Sequence, residues 1–189
     1  MPGASSLFEI HADIDARVGA IREHRPDWPC AKGCDTCCRK LADVPRLTRT
    51  EWDLLREGLA ALPASQFDEI ARKIRALAEG AARPVVCPML DAASGACPVY
   101  AHRPVACRTY GFFVDRDLGL YCRDIEALVA GGRLEDVVWG NHEAIERRLQ
   151  AFEPVRALTD WFLAWQPDLA LQGARSEERR VGKECRSRG

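Results

Sequence analysis

The sequence predicts a mainly α protein, a small helical domain with irregular cysteine-rich loops. Two observations predict it. Apolar residues recur at steps of three and four in five segments, most of them bounded by proline or glycine. Eight cysteines, from Cys30 to Cys122, fall in the stretches between those segments. With 189 residues, 47% hydrophobic and 29% charged, the chain is long enough for one domain with a real core.

The first segment keeps Leu7, Ile10, Ile14, Val18 and Ile21 on one face, which predicts a helix from about Ser6 to His24 that stops before Pro26. The second runs from Thr48 to Leu62 with Trp52, Leu55, Leu59 and Leu62. Thr48 and Glu51 have capping-box spacing at its start, and Pro63 ends it. The third, Ser65 to Glu79, carries Phe67, Ile70, Ile74 and Leu77 and closes at Gly80. These two read as an antiparallel helical hairpin with a very short connection. Ile145, Leu149 and Phe152 mark a fourth helix. Leu158, Trp161, Phe162 and Trp165 mark a fifth, with Pro154 between them.

Residues 175–188 resemble a sequencing-library adapter translated in frame, over all fourteen positions. We therefore expect a single domain over residues 1–174 and a non-native tail over 175–189, which also accounts for the odd ninth cysteine, Cys185. The tail carries six basic and three acidic residues. Removing its net +3 from the overall −1 leaves −4 for residues 1–174. That balance disfavours a phosphate-binding surface, and with it nucleic acid as a partner. No apolar run approaches the roughly 20 residues of a membrane span. The first residues lack the basic and apolar regions of a secretory signal. The expected compartment is the reducing cytoplasm, where cysteine clusters more often bind metal than form disulfide frameworks.

The cysteines form two groups. Cys30, Cys34, Cys37 and Cys38 crowd into nine residues, and Cys87, Cys97, Cys107 and Cys122 are spread more widely. Four thiols that close are too many for ordinary packing and read as thiolate ligands of a soft metal or an iron–sulfur cluster. A helical turn over residues 33–40 would put Cys34, Cys37 and Cys38 on one face. Adjacent Cys37 and Cys38 diverge in direction, so one mononuclear ion is awkward for both. The thiol count suits two zinc sites of four thiolates, a binuclear site, or a cluster plus spare thiols. The hairpin between the groups reads as an insertion whose two ends bring them together, so the loops would be organised around a metal site.

The second group sits in distinctive text: Cys87-Pro-x-Leu, then Gly95-x-Cys-x-Val-Tyr-x-x-Arg-Pro-x-x-Cys-Arg108. With the first group, this resembles the YkgJ-type cysteine-cluster family, described as a zinc- or iron-chelating domain. The resemblance covers about residues 28–123. Its first element, Cys-x-x-Cys-x-x-Cys-Cys, is matched with one extra residue between Cys30 and Cys34. The family implies metal chelation without a settled reaction. A flagellin lysine methylase is similar in its cysteine cluster, which keeps redox or methyl transfer open. The spacing of Cys30, Cys34 and Cys37 equals the radical-SAM spacing, but the long strand–helix alternation of that core is absent.

Other residues carry two readings each. His102 is either a replacement zinc ligand or a turn residue before Arg103-Pro104. Arg103 either bonds thiolates or loop carbonyls, or pins the turn with a salt bridge. Tyr100 and Tyr110 are expected to pack over the cluster. Asp91 and Asp115 are candidate carboxylate ligands or turn formers. His11, His24 and His142 read as structural, and Trp161 and Trp165 as core or an interface stripe.

The leading functional expectation is a cytoplasmic protein that chelates zinc or an iron–sulfur cluster, with zinc slightly preferred, through Cys30, Cys34, Cys37, Cys38, Cys87, Cys97, Cys107 and Cys122. The alternatives are a redox or methyl-transfer enzyme that uses the cluster, and a zinc-finger-like interaction module. Within the metal-binding reading a structural or accessory role comes ahead of catalysis, because no nucleophile–base pair or substrate pocket is readable. The expected partner is the metal ion.

Overall fold

A computed structural model describes residues 6–80, 82–116, 119–120, 122–152 and 154–165. The fold is mainly α. Helix α1 spans Leu7–His24, α2 Arg49–Ala60 and α3 Ala64–Glu79. A 3₁₀ turn at Tyr100–His102 leads into the short α4, Val105–Thr109. Helix α5 spans Arg123–Ala130 and α6 His142–Leu149. Residues 158–165 form α7. No helix among the described residues is long and apolar enough to cross a membrane. The tail expected at residues 175–189, Cys185 included, lies outside the described residues.

The three N-terminal helices follow the periodicity closely. In α1 the buried positions are Leu7, Ile10, Ile14 and Ile21, and Ser6 caps it. The Ser6 Oγ accepts the Glu9 N–H, and the Glu9 carboxylate accepts the Ser6 N–H at 2.7 Å. In α2 the apolar face is Trp52, Leu55 and Leu59. In α3 it is Ile70, Ala71 and Ile74.

These faces fill two separate cores. The first joins α2 and α3 to Leu158, Trp161, Phe162 and Trp165 of α7. Trp52 stacks over Trp161 with centroids 6.5 Å apart, and the Trp161 indole N–H donates to the Leu47 carbonyl at 3.0 Å. The second core joins α1 to Trp28, Phe112, Phe113, Ile125, Leu134 and Ile145.

Short strands were not expected. β1 (Arg46–Thr48) pairs antiparallel with β5 (Val155–Ala157) and seats α7 beside α2. β2 (Phe113–Asp115) lies between β3 (Gly119–Leu120) and β4 (Gly140–Asn141). Strands of two or three residues show no period in sequence, which is why they were illegible. α5 was missed for a related reason, since Ile125 is its one buried residue among those described. The fourth expected helix is shorter than its apolar marks implied. α6 ends at Leu149, and Phe152 follows in a turn, its N–H donating to the Leu149 carbonyl at 2.8 Å.

His11 on α1 is half-buried, and its Nε2 is enclosed without a hydrogen-bond partner among the described residues. Burial, then the Arg108 guanidinium, lower its pKa from 6.5 to about 4, while Asp15 pulls the other way. A base held neutral in the folded state favours folding above its unfolded pKa and loses that contribution as pH falls. The loss should therefore develop between about pH 6.5 and pH 4. Discounted for solvent screening at a half-exposed side chain, it amounts to about 1 kcal/mol. His11→Gln should flatten the acid limb of the stability curve in urea unfolding by that amount. Identical pH profiles for the two proteins would contradict this.

Candidate functional site

The first cysteine group lies in the loop that leaves α1. Arg22 holds its start, donating to the Cys30 carbonyl at 2.7 Å. Gly33 has φ +99°, a conformation side chains other than glycine rarely adopt. Residues 35–40 make a single turn. The Arg39 N–H reaches the Asp35 carbonyl at 3.0 Å and the Lys40 N–H the Cys37 carbonyl at 3.1 Å. An Arg39–Asp35 ion pair at 2.6 Å spans the same turn.

The α2–α3 hairpin starts and ends at one place. Leu41 and Val85 exchange both backbone hydrogen bonds, at 2.9 and 2.8 Å, and the Cys87 N–H donates to the Cys38 carbonyl at 2.7 Å. The two groups are thus brought together as the spacing implied. Their loop tips also touch, because a Cβ on Gly95 would lie 2.9 Å from the Gly33 carbonyl oxygen. Asp91 builds the second loop. Its carboxylate accepts the Ala93 N–H at 3.0 Å and the Ser94 hydroxyl at 2.7 Å, so it is a turn former.

Glu51 positions Cys107. Its carboxylate is buried, and Oε1 accepts the Val105 N–H at the start of α4 at 3.0 Å. Oε2 accepts the Thr48 N–H at 2.9 Å and hydroxyl at 2.8 Å. One side chain therefore ties the N-termini of two helices. The capping box was legible, but the reach to Val105 across 54 residues was not.

All eight cysteines line a single cavity of about 70 Å³, together with Arg103, Tyr100 and Tyr110. Cys122 is buried, Cys107 is exposed, and the other six lie between. His102 does not line the cavity. Its ring covers Gly58 of α2, so closely that a Cβ there would come within 2.6 Å of it. Asp115 stands in β2, also outside the cavity lining. Arg103 donates to the carbonyls of Tyr100 at 2.9 Å and Cys107 at 3.3 Å, and lies 3.4 Å from the Tyr100 ring centroid. Lys40 is a surface residue. Thr36 was overlooked in the sequence. It accepts from the Cys34 thiol at 3.8 Å and donates to Asp124 at 3.1 Å.

Burial first, and neighbouring thiols after it, raise several of these thiols. Burial pushes Cys30 up to about 12, and Cys34, Cys37 and Cys122 add to the push. Cys37 is raised further, first by its hydrogen bond with Cys38 and then by burial. For Cys38 the bond with Cys37 pulls down. The bond with Cys87 and burial push up, leaving it at about 12. Burial raises Cys97 and Cys122 as well. Opposing positive charge is sparse, with Arg22 acting on Cys30 and Arg103 on Cys97 and Cys107. Eight thiols around one cavity with little positive charge beside them are a donor set suited to a soft cation, which would supply the missing charge. Among the described residues, no three Cys, His, Asp or Glu side chains already stand where they could hold an ion.

The family model named CxxCxxCC, "Putative zinc- or iron-chelating domain", matches residues 29–128. The chain belongs to this family. The match begins just before Cys30 and ends soon after Cys122, so the chelating-domain segment contains every cysteine of the cavity and leaves α1, α6 and α7 outside. Membership of the chelating-domain family supports metal binding through cysteine. Neither the curated proteins nor the solved structures give a match.

Proposed function

We propose that this protein is a metal-binding protein of the cytoplasm whose Cys30, Cys34, Cys37, Cys38, Cys87, Cys97, Cys107 and Cys122 are the ligands, with zinc as the preferred metal. The observation that carries the reading is the single cavity lined by all eight thiols. The zinc- or iron-chelating family agrees with it. The preference for zinc rests on the thiol count, which suits closed sites of four thiolates each, and on Cys37-Cys38, a vicinal pair unlike usual ferredoxin spacing. Residues 1–174 form one domain on this reading, and its role is structural or accessory.

Metal analysis with a visible spectrum, on the full chain purified without oxygen, tests it. Zinc and no colour are expected. Iron with acid-labile sulfide would overturn the choice of zinc and leave chelation standing. Folded protein without metal would overturn the whole reading.

A further inference from the structure

Each core of the protein carries its own pair of cysteines. Cys30 and Cys122 belong to the core that α1 fills. Gly111 lies between them. A Cβ there would be 3.3 Å from the Cys30 Sγ and 3.7 Å from the Cys122 Cβ, and its φ of +79° suits glycine alone. Cys34 is linked to the same side through Thr36 and Asp124, the latter two residues beyond Cys122. Cys87 and Cys97 pack instead against the core that α2, α3 and α7 fill. Cys38 joins them through its carbonyl, which accepts the Cys87 N–H at 2.7 Å. Cys107 stands between the two sides: its helix α4 puts Val105 into the α1 core, while Glu51 of α2 fixes the start of that helix, and among the cysteines Cys38 acts on it most.

The division falls at the peptide bond between Cys37 and Cys38. The two thiols are hydrogen-bonded to each other rather than divergent as the sequence suggested, so two ions held on either side would abut at this pair. Resting on the chelation reading above, we propose that the cavity holds two separate four-thiolate centres. Cys30, Cys34, Cys37 and Cys122 form one, on the α1 side. Cys38, Cys87, Cys97 and Cys107 form the other, on the α2–α3 side. Electrostatic reach supports the same grouping. Cys30 feels Cys34, Cys37 and Cys122, and Cys38 feels Cys87 and Cys97, while Cys107 feels Cys38 first, then Cys37, then Cys97. Reach across the divide, between Cys107 and Cys37, is what a vicinal pair in one cavity requires.

The test uses the full chain loaded with zinc. A chelator is added in steps at neutral pH, exposed thiols are alkylated, and modified cysteines are mapped by mass spectrometry, Cys185 being counted apart. Two zinc ions per chain are expected before chelation. Loss of the first should expose one set of four cysteines together, and loss of the second the other four. Cys122→Ser and Cys97→Ser should each retain one of the two ions, and the double variant none. Simultaneous exposure of all eight, mixed sets, or loss of both ions from either single variant would overturn the division while leaving chelation intact. Absence of metal from the full chain would overturn the reading beneath it. The alkylation pattern needs no variant, so misfolding of a serine variant does not spare the proposal.

Discussion

Stripping zinc from the loaded protein with a strong chelator at neutral pH should lower its melting temperature by about 10 °C or more. The size follows from mass action. A ligand present at about a thousand times its dissociation constant stabilises the folded chain by ~4 kcal/mol, and each kcal/mol shifts melting by about 2–4 °C at this length. Structural zinc sites are commonly stronger still. The loss should be uneven. Between α1 and β1, and between α3 and α4, the backbone is held by turns and by the Leu41–Val85 pair. Those segments carry six of the eight cavity cysteines and should lose amide protection first. α2 and α3 keep their own core of Trp52, Leu55, Leu59, Ile70 and Ile74. Hydrogen exchange on loaded and stripped protein reads this directly. Equal melting temperatures and equal protection would contradict the coupling of metal to fold.

Glu51→Ala should destabilise the protein by about 3 kcal/mol in urea unfolding, an unusually large effect for a charged residue. The carboxylate is 5% exposed and accepts three hydrogen bonds, from the Thr48 N–H, the Thr48 hydroxyl and the Val105 N–H. Alanine leaves two buried backbone donors without an acceptor. Both belong to helix starts, where a negative charge is favourable. Glu51→Gln should fall between, because one amide oxygen replaces one of the two carboxylate oxygens. The exposed Glu57→Ala, on the same helix, serves as control. A loss below 1 kcal/mol in Glu51→Ala would show that the bridge between α2 and α4 matters little. Lower zinc retention beside the lost stability would be the sign that α4 had moved with Cys107.

Residues that make local patterns were the legible ones. Leu7, Ile10 and Ile14 announce α1 because a helix repeats every 3.6 residues, and Ser6 and Thr48 announce starts because capping is local. The eight cavity cysteines could be chosen from the sequence because thiols are rare and were crowded together. Their assembly was legible only through the hairpin, whose ends had to meet. Long-range pairings were hidden. The Glu51–Val105 bond, the Leu47–Arg156 register between β1 and β5, and the Gly33–Gly95 contact link distant residues without any repeating signal. His102 was open between ligand and turn residue; it ends the 3₁₀ turn before Arg103-Pro104, and the small size of Gly58 is what seats its ring.

The Leu41–Val85 closure also orders events during synthesis. Cys38 leaves the ribosome eighty-four residues before Cys122. At about 5–20 residues per second, that interval is roughly 4–17 seconds. Through it, the first four thiols are on a nascent chain whose set of eight is still incomplete. Neither a finished cavity nor a burying core shields them from oxidants or from each other. The chain is thus most exposed to damage before its own second half exists.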